Sequence, residues 1–201
     1  MKSLVAALFV ACSAVSINSE AAVNITIRQV GSDVVGTASG SLNLTGGLGG
    51  ETPETTTSGV LLRGASGYYY GVGSGAHSQR SVTGGWTTEQ QLFSANALRT
   101  SNSSSGDFVG VSFAGITAHL QHPIGYISGD PINGTSTWTG QTINSLGLVP
   151  GTYVFDYGTD RVTFNVVDPT PQPVPSLSLI GLILTALGLG TLGFAKLRKA
   201  R

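Results

Sequence analysis

The chain has very little cysteine: one residue, Cys12, in 201. Residues 22–168 therefore contain no disulfide and no thiolate that could act as a nucleophile or a metal ligand. An oxidising compartment is compatible with this composition, because a domain of about 147 residues can bury enough surface to be stable without cross-links. The lack of cysteine excludes thiol chemistry in this part of the chain. It does not decide between an oxidising and a reducing compartment.

Charge is also scarce, at 10% of residues against a typical ~25%. All three lysines lie near the ends, at positions 2, 196 and 199. Between Ala22 and Asp168 five arginines and nine acids give a net charge of −4, whereas the segment from Lys196 onward carries +4. A nucleic-acid-binding protein carries its cations on the folded body, so this distribution argues against nucleic acid and indicates a membrane topology.

Between residues 22 and 168, helical periodicity is largely missing and apolar residues alternate with polar ones. Val23, Ile25 and Ile27 begin this alternation, and the 29 glycines of the chain supply frequent turns. The pattern predicts an all-β fold, either a single sandwich or a jelly-roll-like domain. Strands are predicted at 23–27, from 34 toward 44, and at 60–62, 67–71, 108–113, 136–139, 152–157 and 162–166.

Three segments of this body are predicted to lie outside the sheets. Residues 46–57 combine several glycines with Pro53 and two glutamates, which indicates a loop. The Asn-Ser-Ser-Ser-Gly run at 102–106 indicates a flexible loop. Residues 90–98 are predicted to form the one helical turn of this body.

The first 21 residues have the pattern of a secretory signal peptide. A lysine at the second position precedes an apolar segment at 4–15, and small residues at Ser19 and Ala21 form a cleavage site. We expect signal peptidase to cut between Ala21 and Ala22. Two alternatives are a short N-terminal core helix and a lipoprotein signal acylated at Cys12.

Residues 177–195 are nineteen uncharged, mainly apolar residues. A helix of that length spans about 28 Å, close to the ~30 Å hydrocarbon core of a bilayer. The alternative is a buried core helix, which would show a broader polar stripe than Ser178, Thr185 and Thr191 supply. The basic tail at 196–201 predicts a cytoplasmic stop, so the body of the protein is expected on the outer side of the bilayer. Its basic residues are Lys196, Arg198, Lys199 and Arg201.

Residues 169–176 join the body to this apolar segment. Four prolines stand at alternate positions from Pro169 to Pro175. They exclude a regular helix or strand and favour an extended, polyproline-like spacer. Such a spacer would hold a folded domain away from a bilayer and leave it open to a protease.

The segment that starts at Val174, Val-Pro-Ser-Leu-Ser-Leu-Ile-Gly, resembles the sorting motif of bacterial exosortase substrates. It is similar to the IPTL-CTERM variety of the PEP-CTERM proteins, whose motif runs Ile-Pro-Thr-Leu-Ser-Glu-Trp-Gly. Leu179 and Ile180 depart from the Glu-Trp pair of that motif. The matching or conservatively replaced positions are Val174, Pro175, Ser176, Leu177, Ser178 and Gly181.

The resemblance implies export, transient anchoring in the inner membrane, and processing near Pro175 by an exosortase-type enzyme. The destination that it implies is the cell surface or the extracellular matrix. Two blocks of the body, within 22–44 and 145–158, also look like those found in front of such tails. The family has no known catalytic residues, so the resemblance assigns none.

Two pairs of polar residues have spacings that could bind metal. His119 and His122 are an HxxH pair, but in a strand residues i and i+3 point to opposite sides, which favours structural roles. Asp156 and Asp160 bracket a predicted hairpin turn and could share Ca²⁺. Turn capping by Asp160 and solvent exposure of Asp156 are favoured, because the dense Asp-x-Asp-x-Asp-Gly arrangement is missing. We predict no metal and no cofactor.

Three aromatic residues are candidates for stacking on sugar rings: Tyr69, Trp86 and Trp138. Strand alternation places Tyr69 on the face opposite to Tyr68 and Tyr70. Core packing is the competing interpretation for all of them.

The sequence as a whole predicts a non-enzymatic exported protein of the cell surface or extracellular matrix. Its expected partners are the lipid bilayer, signal peptidase and an exosortase-type sorting enzyme. The first alternative is a module that binds extracellular polysaccharide. A membrane-anchored hydrolase is a weaker alternative, because no catalytic motif with suitable local context is present.

Overall fold

The computed structural model describes residues 22–64, 67–84, 86, 92–94, 97–114 and 117–167. These residues form eleven β-strands in two sheets and no helix. Within the described ranges, no helix is long and apolar enough to cross a membrane. The predicted signal segment and the predicted helix at 177–195 lie outside these ranges.

The strands follow one another at short intervals. In chain order they are β1 (Ala22–Val30), β2 (Asp33–Gly40), β3 (Leu48–Gly64), β4 (Gly67–Val82), β5 (Ala97–Thr100), β6 (Ser103–Gly106), β7 (Val109–Ala114), β8 (Thr117–Pro123), β9 (Ile132–Trp138), β10 (Gly151–Tyr157) and β11 (Asp160–Val167).

The larger sheet has six strands in the order β10-β11-β1-β2-β9-β6. β1 runs parallel to β11, and every other neighbouring pair in this sheet is antiparallel. A jelly roll is built from antiparallel strands, so the parallel pair makes a sandwich the better description of the two that the sequence predicts. The prediction of an all-β body is confirmed.

The first hairpin follows directly from the sequence pattern. Val23, Ile25 and Ile27 are fully buried, and the residues between them are partly or fully exposed. Gly31 has a φ of +61°, a conformation that glycine adopts at little cost and that a tight turn into β2 requires.

The smaller sheet has the order β5-β3-β4-β7-β8, and β8 also pairs with β4. Residues 67–72 of β4 pair with β7, and residues 77–81 pair with β8. Gly73 and Gly75, with φ values of +96° and +119°, lie between these two parts. Because β7 and β8 also pair with each other, each of these three strands is hydrogen-bonded to the other two. We call β4, β7 and β8 together the closed corner.

The main core lies between the two sheets. Tyr68 and Tyr70 stack with ring centroids 4.7 Å apart, and Tyr70 meets Phe164 of the larger sheet edge-on at 6.1 Å. Phe108 is buried too, but it lies outside this main cluster and packs within the closed corner.

One correction concerns residues 46–57. Most of this segment is not a loop, because β3 begins at Leu48 and continues to Gly64. Its register against β4 shifts at three places, which accommodates the irregular sequence. Pro53 is tolerated because β3 pairs with β5 only at residues 60–63, so the strand is an edge of the sheet at Pro53.

Two further predictions are wrong in part. Residues 103–106 are not a flexible loop but the short edge strand β6, paired with β9. In the segment 90–98, Ala97 and Leu98 belong to β5, and the described residues 92–94 form no helix. Pairing with a neighbouring strand outweighed the local preference of both segments.

Candidate functional site

The closed corner has one side with an apolar part that faces the main core and an opposite side that is polar. Tyr70, Val111 and Leu120 face the main core. The alternate positions of the same strands carry polar groups: Tyr69 pairs with Ser112, and Gln79 pairs with Gln121. A strand that alternates in this way directs its polar residues away from the main core.

The polar side is packed around one aromatic ring. Phe108 stacks on Tyr69 at 6.1 Å and lies 4.6 Å from His77, measured between ring centroids. Gln121 is fully buried, and its Nε2 donates to Ser112 Oγ at 2.6 Å. Gly71 leaves room for this ring, because a Cβ at that position would collide with Phe108.

A pocket of about 280 Å³ opens at the edge of this polar side. Five polar residues line it: Glu54, Thr55, Tyr69, His77 and Gln79. The pairing of β3 with β4 creates the pocket, because it places Glu54 opposite His77.

Two hydrogen bonds organise the pocket. Tyr69 Oη and His77 Nε2 are 3.0 Å apart, and Gln79 Nε2 donates to Glu54 Oε1 at 2.7 Å. Burial raises the pKa of the Tyr69 phenol. Burial also lowers the pKa of His77, and the charge of Glu54 opposes this shift. At neutral pH the first bond therefore joins two uncharged groups, and Glu54 carries the charge of the pocket.

This arrangement suits a small ligand with several hydroxyl groups. The phenol oxygen keeps an acceptor lone pair beside its bond to His77, the carboxylate accepts, and the side-chain amide can both donate and accept. An aromatic side chain beside convergent polar groups is a common feature of ligand pockets.

The other strand face of this region holds an ion pair. Arg80 Nη2 lies 2.8 Å from Glu51 Oε2. His122 is fully buried, and its register partner on β4 is Ser78. Burial lowers the pKa of His122. Arg80 is therefore engaged away from the pocket.

The three aromatic candidates do not form one surface. Tyr69 lines the pocket, as its predicted orientation allows. Trp86 is half-buried, with Nε1 donating to the Ser112 carbonyl at 3.2 Å and its ring edge-on to Phe155 at 5.5 Å. Trp138 is 1% exposed and packs in the main core. A buried indole has no face free for a sugar, so the assignment of Trp138 to a stacking surface is wrong.

Neither pair of candidate metal ligands converges on a common point. The two histidines lie on opposite strand faces, and the two aspartates make other interactions. His119 and His122 lie on opposite faces of β8, where one is half-buried and the other fully buried. Asp160 is buried and accepts hydrogen bonds from Tyr157 and from the main chain, whereas Asp156 is exposed and pairs with Arg161 at 3.2 Å. No group of three or more metal-ligating side chains occurs in the described part of the chain.

The predicted processing sites are only partly covered by the structure. Ala22, the residue after the predicted signal cleavage, is the first residue of β1. Ala21 lies outside the described residues, as do the whole sorting motif at 174–181 and the basic tail at 196–201.

Sequence reasoning missed Glu54, Thr55 and Gln79. Glu54 and Thr55 stood in a segment predicted as a loop, and Gln79 belonged to no predicted element. The signal that could have found them is the alternation of His77 and Gln79, which share a strand face. Their approach to Glu54 depends on the register between β3 and β4, which local pattern does not determine.

The described residues define an all-β, two-sheet body with a polar recess on its smaller sheet. In comparisons with family models, curated proteins and solved structures, the chain has no match.

Proposed function

We propose that this protein is a non-enzymatic, exported component of the cell surface or extracellular matrix. The observation that carries the proposal is the order of features at 169–201: a proline-rich spacer, a sorting-type motif, an apolar segment and a basic tail. Combined with the signal-type N-terminus, this order specifies export with the body outside.

The proposed processing points leave the described strands whole. Every strand of the described residues lies between Ala22 and Val167. Both predicted processing points, after Ala21 and near Pro175, fall outside that span. Cleavage at both points would leave all eleven strands intact.

The proposal implies a defined route. Signal peptidase removes residues 1–21, the helix at 177–195 holds the protein in the inner membrane, and an exosortase-type enzyme processes the tail. The lipid bilayer is then a transient partner, and the final location is the surface or the matrix.

Intact-mass analysis of the surface-released protein tests this route. We expect an N-terminus at Ala22 and a C-terminus near Pro175. Replacing Lys196, Arg198, Lys199 and Arg201 with glutamine should reduce the released form, because the cytoplasmic stop is lost. Recovery of full-length protein in the cytosol would refute the proposal.

We also propose a second candidate function, the binding of extracellular polysaccharide. The observation that favours it is the position of Tyr69 in a polar pocket of about 280 Å³. Retention of the wild-type protein on a polysaccharide column, and its loss on Tyr69→Ala, would support this function. Failure of the wild type to bind any polysaccharide would remove it, and release of reducing sugar would indicate the hydrolase alternative.

A further inference from the structure

We infer that the pocket binds a sugar unit that carries a free amino group, as found in cationic polysaccharides. This inference rests on the proposed binding of polysaccharide and specifies its ligand. The observation that carries it is the charge of the pocket, in which a single carboxylate stands among four uncharged polar side chains.

Glu54 is held in a position that leaves one oxygen for a ligand. Gln79 Nε2 donates to its Oε1 at 2.7 Å, which orients the carboxylate. An ionised carboxylate only accepts hydrogen bonds, and its second oxygen is suited to an ammonium donor. A bond between the two charged groups is about twice as strong as a neutral one.

No cation among the residues that line the pocket opposes this charge. Arg80 is close along β4, but it lies on the other strand face and is paired with Glu51 at 2.8 Å. An acidic sugar would therefore meet Glu54 without a compensating cation, so uronic acids are disfavoured.

The remaining lining groups suit the rest of a sugar. Phe108 covers one face of the Tyr69 ring and holds it in place. The Tyr69 hydroxyl oxygen, which is bonded to His77 Nε2, keeps a lone pair that can accept a hydrogen bond from a ring hydroxyl. The volume of about 280 Å³ is just below the usual range of ligand pockets, about 300–1,000 Å³, which favours one sugar unit at a time.

Binding of matched oligosaccharides to the full chain in detergent, measured by calorimetry, tests the inference. The probes are a glucosamine tetramer, an N-acetylglucosamine tetramer and a uronic acid tetramer. We expect the glucosamine tetramer to bind roughly 10-fold more tightly than its acetylated form, since one charge-assisted hydrogen bond is lost on acetylation. The uronic acid tetramer should bind most weakly.

Two variants separate the pocket from general charge attraction. Glu54→Gln keeps the shape of the side chain and should bring the ratio between the two glucosamine probes to about 1. Glu51→Gln removes a negative charge three residues away on the opposite strand face, and should leave the 10-fold ratio in place. An unchanged urea midpoint will show that each variant is folded.

The possible failures are distinguishable. If Glu54→Gln and Glu51→Gln lower the affinity ratio between the two glucosamine probes equally, the inference is overturned. That result would indicate general attraction of a cationic sugar to an acidic protein surface. Tighter binding of the acetylated or the uronic acid probe would overturn the inference while leaving polysaccharide binding intact. Lack of binding to all three probes would overturn both.

Discussion

Asp160 shows how one carboxylate can join two distant segments. Its Oδ2 accepts from the Asn43 N–H at 2.7 Å and from the Tyr157 hydroxyl at 2.8 Å, and its Oδ1 accepts from the Arg161 N–H at 2.7 Å. The side chain is buried, so these donors replace water. The segment after β2 is thereby tied to the turn between β10 and β11.

Asp160→Ala should therefore lower the free energy of unfolding by about 3 kcal/mol, because buried donors lose a charged acceptor. The control is Asp156→Ala, which removes an exposed ion pair and should cost about 0–1 kcal/mol. Urea denaturation measures both. Equal losses of unfolding free energy in the two variants would show that the hydrogen bonds of Asp160 contribute little to stability.

His122 is a buried titratable group whose effect on stability depends on pH. Burial holds its pKa below the ordinary value of 6.5 in the folded state. The unfolded chain therefore binds a proton more readily, and the contribution of His122 to stability is complete above pH 6.5 and declines as the pH falls below it.

We expect the stability of the wild type to decrease below pH 6.5 by up to about 1.4 kcal/mol per pH unit from this group. Urea midpoints between pH 7.5 and pH 5 should fall less steeply for His122→Gln than for the wild type. Identical slopes would assign the acid sensitivity to other groups.

Besides its pairing with β3, strand β4 pairs with two further strands because it bends. Its first part pairs with β7 and its last part with β8, and Gly73 and Gly75 lie at the bend. A Cβ at Gly73 would collide with the Asp107 carbonyl oxygen, whereas a Cβ at Gly75 would meet nothing within 4 Å. The two glycines share positive φ values and differ in the space around them.

Gly75→Ala should cost about 1–2 kcal/mol of stability, the conformational penalty of a positive φ. Gly73→Ala adds a steric clash with the main chain, so its loss should be clearly larger. Thermal unfolding of both variants gives the comparison. A smaller loss at Gly73 would mean that the bend relaxes easily.

The protein as a whole depends on β1, which connects two halves of the larger sheet. β1 pairs with β11 on one side and with β2 on the other. Val23, Ile25 and Ile27 are fully buried, and each contributes roughly 1.5–3 kcal/mol. Their sum is comparable with the whole stability of a typical domain, about 5–15 kcal/mol.

A fragment of residues 22–167 should consequently unfold cooperatively, since it keeps every strand that the structure describes. A fragment of residues 31–167 should show no cooperative transition, because β10 and β11 lose their connection to β2. Near-ultraviolet circular dichroism during heating measures this. A sharp transition in the shorter fragment would show that β1 is dispensable.

Local pattern was sufficient for part of this architecture. The alternation in β1, β10 and β11 is visible in the sequence, because period-two burial needs only one apolar face. The glycine at position 31 marks its turn for the same local reason. The predicted signal, sorting motif and membrane helix also depend on local composition alone, and they remain predictions.

Tertiary pairing decided the rest. Residues 48–57 became strand because β4 offered partners, despite a sequence rich in glycine and containing Pro53. Trp138 lies in the core because β9 packs over the smaller sheet. Glu54 reached His77 through strand register. The sequence by itself determined the β class, and the proposed route of export rests on it alone, since both depend on neighbouring residues. The pocket required contacts between residues far apart in the chain.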